Sequence, residues 1–551
     1  MKPHRSFWEL FGELPAPTRP ESGSGETADP SDPSGGASEG TRRDQHSPCA
    51  CFFSEDHVYW GLRNMPIQEA VKHFLICGAV GSGKTTAIEL FLQSIAPRFA
   101  PDRSPPEQLI VFDAKRDILP TLAALGLRPE DEHVWILNPF DRRSAVWSLA
   151  AAARTQAMSR YIGSLLVPEE RQSNAPYFAA AAQKLVTYTI WGLNRIAGAR
   201  WSFRDLLCAL ESRETIRWIT ARHPRAGPLA AAILDDTKHA FGVLSTLSTQ
   251  LSRFEEVAAL WHSRPDARQF SVEAFLQRPG VLVLGYDPVL KESLAPINAL
   301  LLKALTDEIL HRDNTLRPRH WFVLDEFRAM ENVEAIHDLL NRGRSKGAAV
   351  MIGLQSIEGL RDVYPEHRAE DILSACAHKI FLRAGDPKTA RWAEEYVGQV
   401  RRFERVVTET YGRDSSTSIQ HGLQDRSTLL ASYFLSLPFT GPGKPYKAVC
   451  DLPWLDLTVI AERPFDQLHR WRRPPDAEVE AFKPHPRPED EVLQAWTREE
   501  RAYYRKGTGK SKKRRTARSK APKTRPAVEL PTRSVPDQSG QLGLALNNPP
   551  V

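Results

Sequence analysis

Short, largely apolar runs recur along most of the chain and alternate with segments of helical periodicity. Runs of this kind, without a polar residue at every second position, suit strands that are covered on both faces. Strands that alternate with helices are typical of a parallel sheet. The pattern therefore predicts an α/β fold with a mostly parallel sheet flanked by helices. The predicted strands are Phe74–Ile76, Leu109–Phe112, Val134–Leu137, Val281–Leu284, Trp321–Leu324, Ala348–Leu354 and Lys379–Leu382.

The strand pattern gives way to helical periodicity between residues 144 and 270. Apolar residues recur at helical spacing from Pro176 to Gly198, for example, and a glycine stands where such a helix would end. Because strand patterns resume at Val281, we predict that residues 144–270 form an all-α domain inserted into the sheet domain. The sheet domain would then comprise residues 52–143 and 271–465.

Both ends of the chain are poor in apolar residues. Pro, Gly, Ser, Thr, Asp and Glu dominate from about Pro15 to Gln45, and the chain beyond residue 466 is first Pro-rich and then basic. Segments of this composition bury too little apolar surface to offset the loss of chain entropy. We therefore predict that residues 1–51 and 466–551 are disordered, with one helix between Glu489 and Lys506.

The positive charge is concentrated near the C-terminus. Twelve Lys and Arg residues and no acidic residue lie between Arg501 and Arg525, and because the net charge is only +6, the rest of the chain is net negative. Clustered cations bind nucleic-acid phosphates with salt-sensitive affinity that does not depend on sequence. A solubilising tail or a docking arm for an acidic partner is the alternative interpretation.

The sequence also indicates where the protein works. No run approaches the ~20 apolar residues that a bilayer requires, and the N-terminal residues have no apolar core typical of a signal peptide. The six cysteines lack zinc-ligand spacing, which favours free thiols in a reducing compartment. We expect a cytoplasmic protein, and a peripheral position at the inner face of the membrane stays open.

A glycine-rich loop follows the first predicted strand. Gly78–Thr85 reads Gly-Ala-Val-Gly-Ser-Gly-Lys-Thr and matches every fixed position of the phosphate-binding P-loop pattern. The backbone N–H groups of such a loop point at phosphate oxygens. Lys84 would reach the β- and γ-phosphates of ATP, and the Thr85 hydroxyl would bind Mg²⁺. The predicted ATP-binding residues are Gly78, Ala79, Val80, Gly81, Ser82, Gly83, Lys84, Thr85 and Thr86.

Two acidic residues end the strand Trp321–Leu324. Ligands bind beyond the carboxyl ends of strands in open α/β sheets, so Asp325 and Glu326 would lie beside the P-loop. We predict that Asp325 holds Mg²⁺ through water and that Glu326 polarises the attacking water. Gln355 ends the strand Ala348–Leu354 and could contact both the γ-phosphate and that water, or simply be a solvated strand end.

Three more polar residues stand at element ends. Arg344 follows a helical pattern and precedes Gly347, where it could project across a subunit interface to a γ-phosphate or only stabilise the helix C-terminus. Asp113 and Lys115 follow the strand Leu109–Phe112 and either line the nucleotide site or pair with each other.

At Asp325 a resemblance to a known family becomes specific. Trp321–Phe327, Leu339–Arg344 and Gly353–Ser356 are similar to motifs of the coupling ATPases of conjugative type IV secretion, the TraD/TraG family. Leu373–Arg383 and Gly385–Ala390 continue the resemblance in the same order, and it covers roughly residues 55–460.

The resemblance implies a RecA-like P-loop NTPase of the FtsK/HerA kind that forms a ring of six around DNA. Such a DNA-stimulated ATPase would deliver relaxase-bound DNA to a type IV secretion channel, with Gln355 as sensor and Arg344 reaching the next subunit's site. Family members typically carry N-terminal membrane-spanning helices, which this chain lacks. A separate membrane-anchor subunit, or work away from the membrane, is therefore expected.

Two other functions stay open. An ATPase of the same superfamily for polypeptide secretion or channel assembly would share every nucleotide-binding residue. A nucleotide-switched relaxase adaptor without significant turnover would need no water-activating carboxylate. The presence of Glu326 therefore argues against the adaptor function.

Overall fold

The structure of the chain is a computed structural model that describes residues 53–169, 176–264, 266–330, 333–410, 416–485 and 492–506. The predicted disordered residues 1–51 lie outside these ranges, and so do residues 507–551 of the basic tail. Residues 411–415, between β12 and β13, also lie outside them.

The strands end close to the predicted positions. They are β1 (His57–Trp60), β2 (Arg63–Pro66), β3 (Phe74–Cys77), β4 (Gln108–Asp113), β5 (Val134–Leu137), β6 (Val146–Trp147), β7 (Gln269–Phe270), β8 (Gly280–Gly285), β9 (Thr315–Leu324), β10 (Lys346–Leu354), β11 (His378–Phe381), β12 (Gln399–Thr410), β13 (Ser416–Ser427), β14 (Tyr446–Leu452) and β15 (Leu457–Arg463).

Within the described ranges, nine strands form one sheet in the order β15-β14-β11-β3-β10-β9-β4-β8-β5. The seven strands from β11 to β5 pair in parallel, and β14 and β15 add an antiparallel edge. The prediction of an α/β fold with a mostly parallel sheet is confirmed. It omitted β14 and β15, whose polar residues interrupt the apolar pattern.

The helices of the described residues include those that flank this sheet and those of the helical region. They are α1 (Lys84–Ile95), α2 (Ile118–Ala124), α3 (Leu149–Ala152), α4 (Gln156–Leu166), α5 (Pro176–Ala197), α6 (Phe203–Leu210), α7 (Arg213–Thr220), α8 (Ala226–Leu234), α9 (Thr237–Ser252), α10 (Glu255–His262), α11 (Val272–Phe275), α12 (Lys291–Leu310), α13 (Glu334–Arg342), α14 (Ile357–Arg361), α15 (Glu366–Ala375), α16 (Pro387–Val397), α17 (Ala431–Ser436), α18 (Phe465–Trp471) and α19 (Arg498–Lys506).

Strand β4 explains why the sheet needs cover on both faces. Leu109 and Val111 point into an apolar cluster with Phe91 of α1, whereas Ile110 and Phe112 point into a second cluster on the other face. Successive side chains of a strand lie on opposite faces, so a continuously apolar strand demands two cores. The sheet that carries the glycine loop is thereby packed on both faces.

Helices α3 to α10 form the helical region between β6 and β7. These two short strands pair in parallel, Val146 with Gln269 and Trp147 with Phe270, and bracket the region. Its apolar side chains, Leu185 for example, belong to the same cluster as one face of the sheet. The boundaries at residues 144 and 270 stay a prediction.

The expectation of disorder from residue 466 onward is wrong for residues 466–485 and 492–506. Trp496 and Tyr504 are buried, and Trp496 Nε1 donates to Asp205 Oδ1 of α6 over 2.7 Å. The prediction relied on the average composition of this segment. Docking depends instead on two aromatic side chains that provide the apolar surface. The helix Arg498–Lys506 is shorter than predicted, since residues 492–497 are not helical and 486–491 lie outside the description.

The buried Arg204 of α6 holds the same segment. Its guanidinium pairs with Glu500 over 2.9 Å and donates to the carbonyl oxygens of Gln494 and Ala495 at 2.7 and 2.8 Å. A guanidinium that is withdrawn from water requires such a set of acceptors. Residues 492–506 are therefore fastened to the helical region by an ion pair as well as by aromatic packing.

None of the described helices is both long and apolar enough to cross a membrane. Cys77, Cys208, Cys376 and Cys450 are buried free thiols.

Candidate nucleotide-binding site

The P-loop is suspended between two neighbouring strands. It begins after Cys77, where the Gly78 N–H donates to Leu354 O of β10 over 3.0 Å and the Ala79 N–H donates to Arg383 O beyond β11 over 2.8 Å. Because β3, β10 and β11 are parallel, the loop lies at their common carboxyl edge. Of its predicted residues, Val80, Gly81 and Thr85 are exposed and Thr86 is half-buried.

Two glycines are required by the path of the loop. Gly81 and Gly83 have φ values of +76° and +101°, a region that residues with a Cβ rarely adopt. A Cβ on Gly83 would also lie 2.6 Å from Thr440 Oγ1. Thr440 donates through its N–H to Gly81 O and through its hydroxyl to Ser82 O, over 3.0 and 2.9 Å. No sequence signal pointed to Thr440, which is 358 residues from Ser82.

Lys84 is buried and lacks a hydrogen-bond partner among the described residues. Its side chain is 7% exposed, and Nζ lies 3.8 Å from both Asp325 Oδ1 and Glu326 Oε2, too far for a hydrogen bond. Burying an ammonium without hydrogen bonds is costly, so this position is suited to a bound group that accepts hydrogen bonds from Lys84. A phosphate oxygen fits this requirement.

The backbone has an unusual conformation at Asp325 and Glu326, where the chain leaves β9. Glu326 has a φ of +59°, and its N–H donates to Asp325 Oδ1 over 3.0 Å. Gly353 of the neighbouring β10 permits this arrangement, because a Cβ there would lie 2.7 Å from Asp325 Oδ1. Unfavourable backbone geometry persists where the surrounding structure enforces it, often at functional sites. Both carboxylates are consequently directed toward Lys84.

Gln355 joins this pair from the end of β10. Its Nε2 donates to Glu326 Oε2 over 2.5 Å. The strands β9 and β10 pair in register up to Leu324 and Ile352, which brings the two strand ends together. The predicted proximity of Gln355 and Glu326 therefore exists in this structure, although their catalytic roles stay predictions.

Lys115 contacts the carboxylate cluster, whereas Asp113 contacts the start of α2. Lys115 Nζ donates to Asp325 Oδ2 over 2.6 Å and so belongs to the site. Asp113 instead accepts from the N–H groups of Asp117 and Ile118 at the start of α2, over 3.1 and 3.4 Å. Burial raises the pKa of Asp113 to about 6. In the described contacts the two residues do not pair with each other.

A small cavity of about 130 Å³ adjoins these carboxylates. Thr85 and Asp325 both line it, together with Lys115 and Asp117. A hydroxyl and carboxylates are oxygen ligands of the kind that Mg²⁺ prefers. The cavity is thus suited in its donor atoms to a hydrated Mg²⁺ ion next to the P-loop.

Arg344 lies far from this cluster within the chain. It is exposed and precedes β10, whereas Gln355 follows that strand. At about 3.3 Å per residue the strand separates the two by roughly 30 Å. In one chain Arg344 therefore cannot reach Lys84 or Glu326, and its predicted role in a neighbouring subunit's site stays a prediction.

A family model decides the classification of the chain. The model described as the type IV secretion-system coupling protein DNA-binding domain matches residues 60–438, more than half of the 551 residues. The chain belongs to this family. Membership confirms the resemblance seen in the sequence, and the matched coupling-protein region includes all the predicted site residues.

Curated relatives are distant coupling proteins. Coupling protein TraD of Escherichia coli (strain K12) is 21% identical over 394 residues, which are 69% of this chain and 52% of TraD. The type IV secretion system-coupling protein VirD4 of Bartonella quintana (strain Toulouse) is 21% identical over 360 residues, 60% of this chain and 54% of VirD4. The chain spans about half the length of the curated relatives it matches.

Solved coupling-protein structures share the fold. Unbound TrwBdeltaN70 superposes with a TM-score of 0.58 at 20% identity, covering 79% of this chain and 93% of that one. Plasmid coupling protein TrwB in complex with ADP and Mg²⁺ gives a TM-score of 0.59 at 19% identity, covering 78% and 93%. The chain accordingly has the RecA-like P-loop NTPase fold, and the fold prediction is confirmed.

Proposed function

We propose that this coupling-family chain is a DNA-stimulated ATPase that translocates relaxase-bound DNA to a type IV secretion channel. The observation that carries the proposal is the buried Lys84 ammonium, which lies without a hydrogen-bond partner between Asp325 and Glu326 in a P-loop. Such an arrangement is suited to the phosphates of a nucleotide, and TrwB has been solved with ADP and Mg²⁺.

Each residue of the site would have a distinct task. Lys84 binds the β- and γ-phosphates of ATP, and Thr85 and Asp325 hold Mg²⁺. Bound Mg²⁺ neutralises charge on the phosphate oxygens and so lowers the barrier to phosphoryl transfer to water. Glu326 orients that water and accepts its proton, and Gln355 fixes the Glu326 carboxylate through the 2.5 Å hydrogen bond.

The proposal for the wider assembly is based on what the family resemblance implies. We infer that the chain works as a homo-hexamer, in which Arg344 of one subunit approaches the γ-phosphate held by the next. The helical region, predicted as residues 144–270, would receive the relaxosome, and a separate membrane subunit would hold the ring at the inner face of the membrane. This arrangement agrees with the distance between Arg344 and the site of its own chain.

Translocation is tested by strand and protein displacement. The full-length protein, with ATP, is added to duplex DNA that carries a fluorescent third strand and to single-stranded DNA with streptavidin at either end. We expect displacement with ATP and none with a non-hydrolysable analogue or with the Glu326→Gln variant. A DNA-bound protein that hydrolyses ATP but displaces neither block would exclude a translocase.

A further inference from the structure

A group of exposed cations surrounds the docked C-terminal helix. They come from the end of α5, from the turn between α7 and α8, and from α19 itself. We call this set the basic patch, and its members are Arg195, Arg200, Arg222, Arg225, Arg501, Arg505 and Lys506.

Direct contacts bring the three elements of the basic patch together. The guanidinium of Arg222 donates to the carbonyl oxygen of Arg505, and Arg200 donates to the Tyr503 hydroxyl over 3.3 Å. The pKa of His223 is lowered mainly by burial and next by the charges of Arg195 and Arg225, so both arginines lie near His223. The seven cations therefore belong to one surface and not to separate parts of the helical region.

Among the residues that the structure describes, no acidic side chain pairs with a cation of the basic patch. Among the described ion pairs, none joins a patch cation to a carboxylate, whereas nearby Arg217 pairs with Asp235 and Arg204 with Glu500. Like charges that share a surface repel one another unless a counter-ion is close. A surface that keeps so many unpaired cations is therefore suited to a polyanion.

The docking of α19 holds part of this surface in place. Trp496 stacks on Tyr504 with ring centroids 4.6 Å apart, and Glu500 pairs with the buried Arg204. In the sequence, nine further Lys and Arg residues and no acidic residue follow Lys506 up to Arg525. The docked helix contains the first residues of this basic run and thus holds them against the helical region.

We propose that the basic patch binds the sugar–phosphate backbone of nucleic acid, as a site separate from the nucleotide-binding site. Tyr503, 39% exposed and beside Arg200, offers a ring on which an unpaired base can stack. An acidic protein would also satisfy the charges, and the test below distinguishes it from nucleic acid. The proposal rests on the proposed function only for the choice of nucleic acid as the polyanion.

The test compares two full-length variants that lose the same charge. The patch variant carries Arg195→Gln, Arg200→Gln, Arg222→Gln and Arg225→Gln. The control variant carries the same substitution at four exposed arginines on other elements: Arg63, Arg154, Arg278 and Arg391. Both are titrated by fluorescence anisotropy with a single-stranded and a duplex oligonucleotide between 50 and 200 mM salt.

We expect the patch variant to bind single-stranded DNA at least about tenfold more weakly, and its log–log salt slope to fall by about 3, since each lost phosphate contact contributes ~0.7. The control variant should bind like the wild type. Basal ATP turnover and the unfolding temperature should be the same in all three proteins, which shows that the patch variant is folded.

Equal DNA binding by the patch and control variants would overturn the proposal and leave the proposed function intact. Patch-dependent binding of a poly-glutamate peptide, with DNA binding unaffected, would likewise overturn it in favour of an acidic protein partner. A wild-type chain that binds neither oligonucleotide at low salt would contradict both this inference and the proposed function.

Discussion

Lys115 Nζ lies 2.6 Å from Oδ2 of Asp325, the carboxylate that we assign to Mg²⁺. Burial of Lys115 opposes its charge and is the largest single effect, but the charge and hydrogen bond of Asp325, together with the charges of Asp117 and Glu326, outweigh it, so the pKa of Lys115 is raised. The carboxylate that would bind the metal is therefore already paired with the ammonium of Lys115. Mg²⁺ and Lys115 must compete for Asp325, or share it through water.

Lys115→Met should thus lower the Mg²⁺ concentration that half-saturates ADP binding. The reduction should be at most about fivefold, since a partly exposed ion pair is worth ~1 kcal/mol or less. A fluorescent ADP analogue titrated with Mg²⁺ measures it, and Lys115→Arg, which keeps the cation, is the control. An unchanged Mg²⁺ requirement in Lys115→Met would show that Lys115 does not oppose the metal.

Lys84→Met should abolish nucleotide binding, because the ammonium that would bind the phosphates is gone. ADP with Mg²⁺ at about 100 times its Kd should stabilise the wild type by ~2.7 kcal/mol, and should leave the unfolding temperature of the variant unchanged. The control is Lys388→Met, at an exposed lysine of α16. A full ADP-dependent shift in Lys84→Met would refute the assignment of Lys84.

Gln355→Ala should reduce kcat by roughly tenfold or more, less than the ~10²–10⁴ that the general base itself contributes, because Gln355 only positions Glu326. The KM for ATP should change little, because Gln355 contacts Glu326 rather than the P-loop. Steady-state kinetics separates the two constants, with Gln277→Ala, at an exposed residue, as the control. A raised KM at unchanged kcat would instead assign Gln355 to nucleotide binding.

The docking of residues 492–506 should depend on acid pH. The hydrogen bond from Arg204 lowers the pKa of Glu500 from 4.5 to about 2. A carboxyl group with a depressed pKa stabilises the folded form above its ordinary pKa, and this contribution is lost as the pH falls toward the folded value. Docking should therefore be constant from pH 7 to about 5 and weaken between about 4.5 and 2.

Hydrogen exchange of the helix Arg498–Lys506 measures this dependence. In Glu500→Gln the helix should exchange faster at neutral pH, since the buried Arg204 loses its ion pair, and its protection should no longer change between pH 4.5 and 2. The same pH dependence in wild type and variant would show that another group controls docking.

The sequence revealed the parts of the site that are local in the chain. The P-loop and the pair Asp325–Glu326 each follow an apolar strand directly, so strand ends and chemistry could be read together. Lys115 and Thr440 could not be assigned in this way, because their partners are hundreds of residues away. Long-range contacts of single polar residues leave no periodic pattern.

The C-terminal segment shows a different limit of sequence analysis. Composition averaged over residues 466–551 indicates disorder, yet docking depends on a few particular residues, Trp496, Tyr504 and Glu500. Their partner Arg204 lies in a helix whose own pattern gives no reason for a buried arginine. The role of Arg344 meets a related limit, since its proposed contact with a neighbouring subunit cannot be tested on a single chain.

The central claim is that ATP hydrolysis at Glu326 is coupled to DNA, and ATP turnover by the full-length protein tests it most directly. Turnover is measured without DNA and with single-stranded or duplex DNA across a salt series, for the wild type and for Glu326→Gln. We predict that DNA stimulates turnover, that salt weakens this stimulation, and that Glu326→Gln reduces turnover by about 10²–10⁴ while ADP still binds. Turnover that DNA does not change would favour a polypeptide-secretion ATPase, and a protein that binds ATP without turnover would be an adaptor; either result would contradict the account.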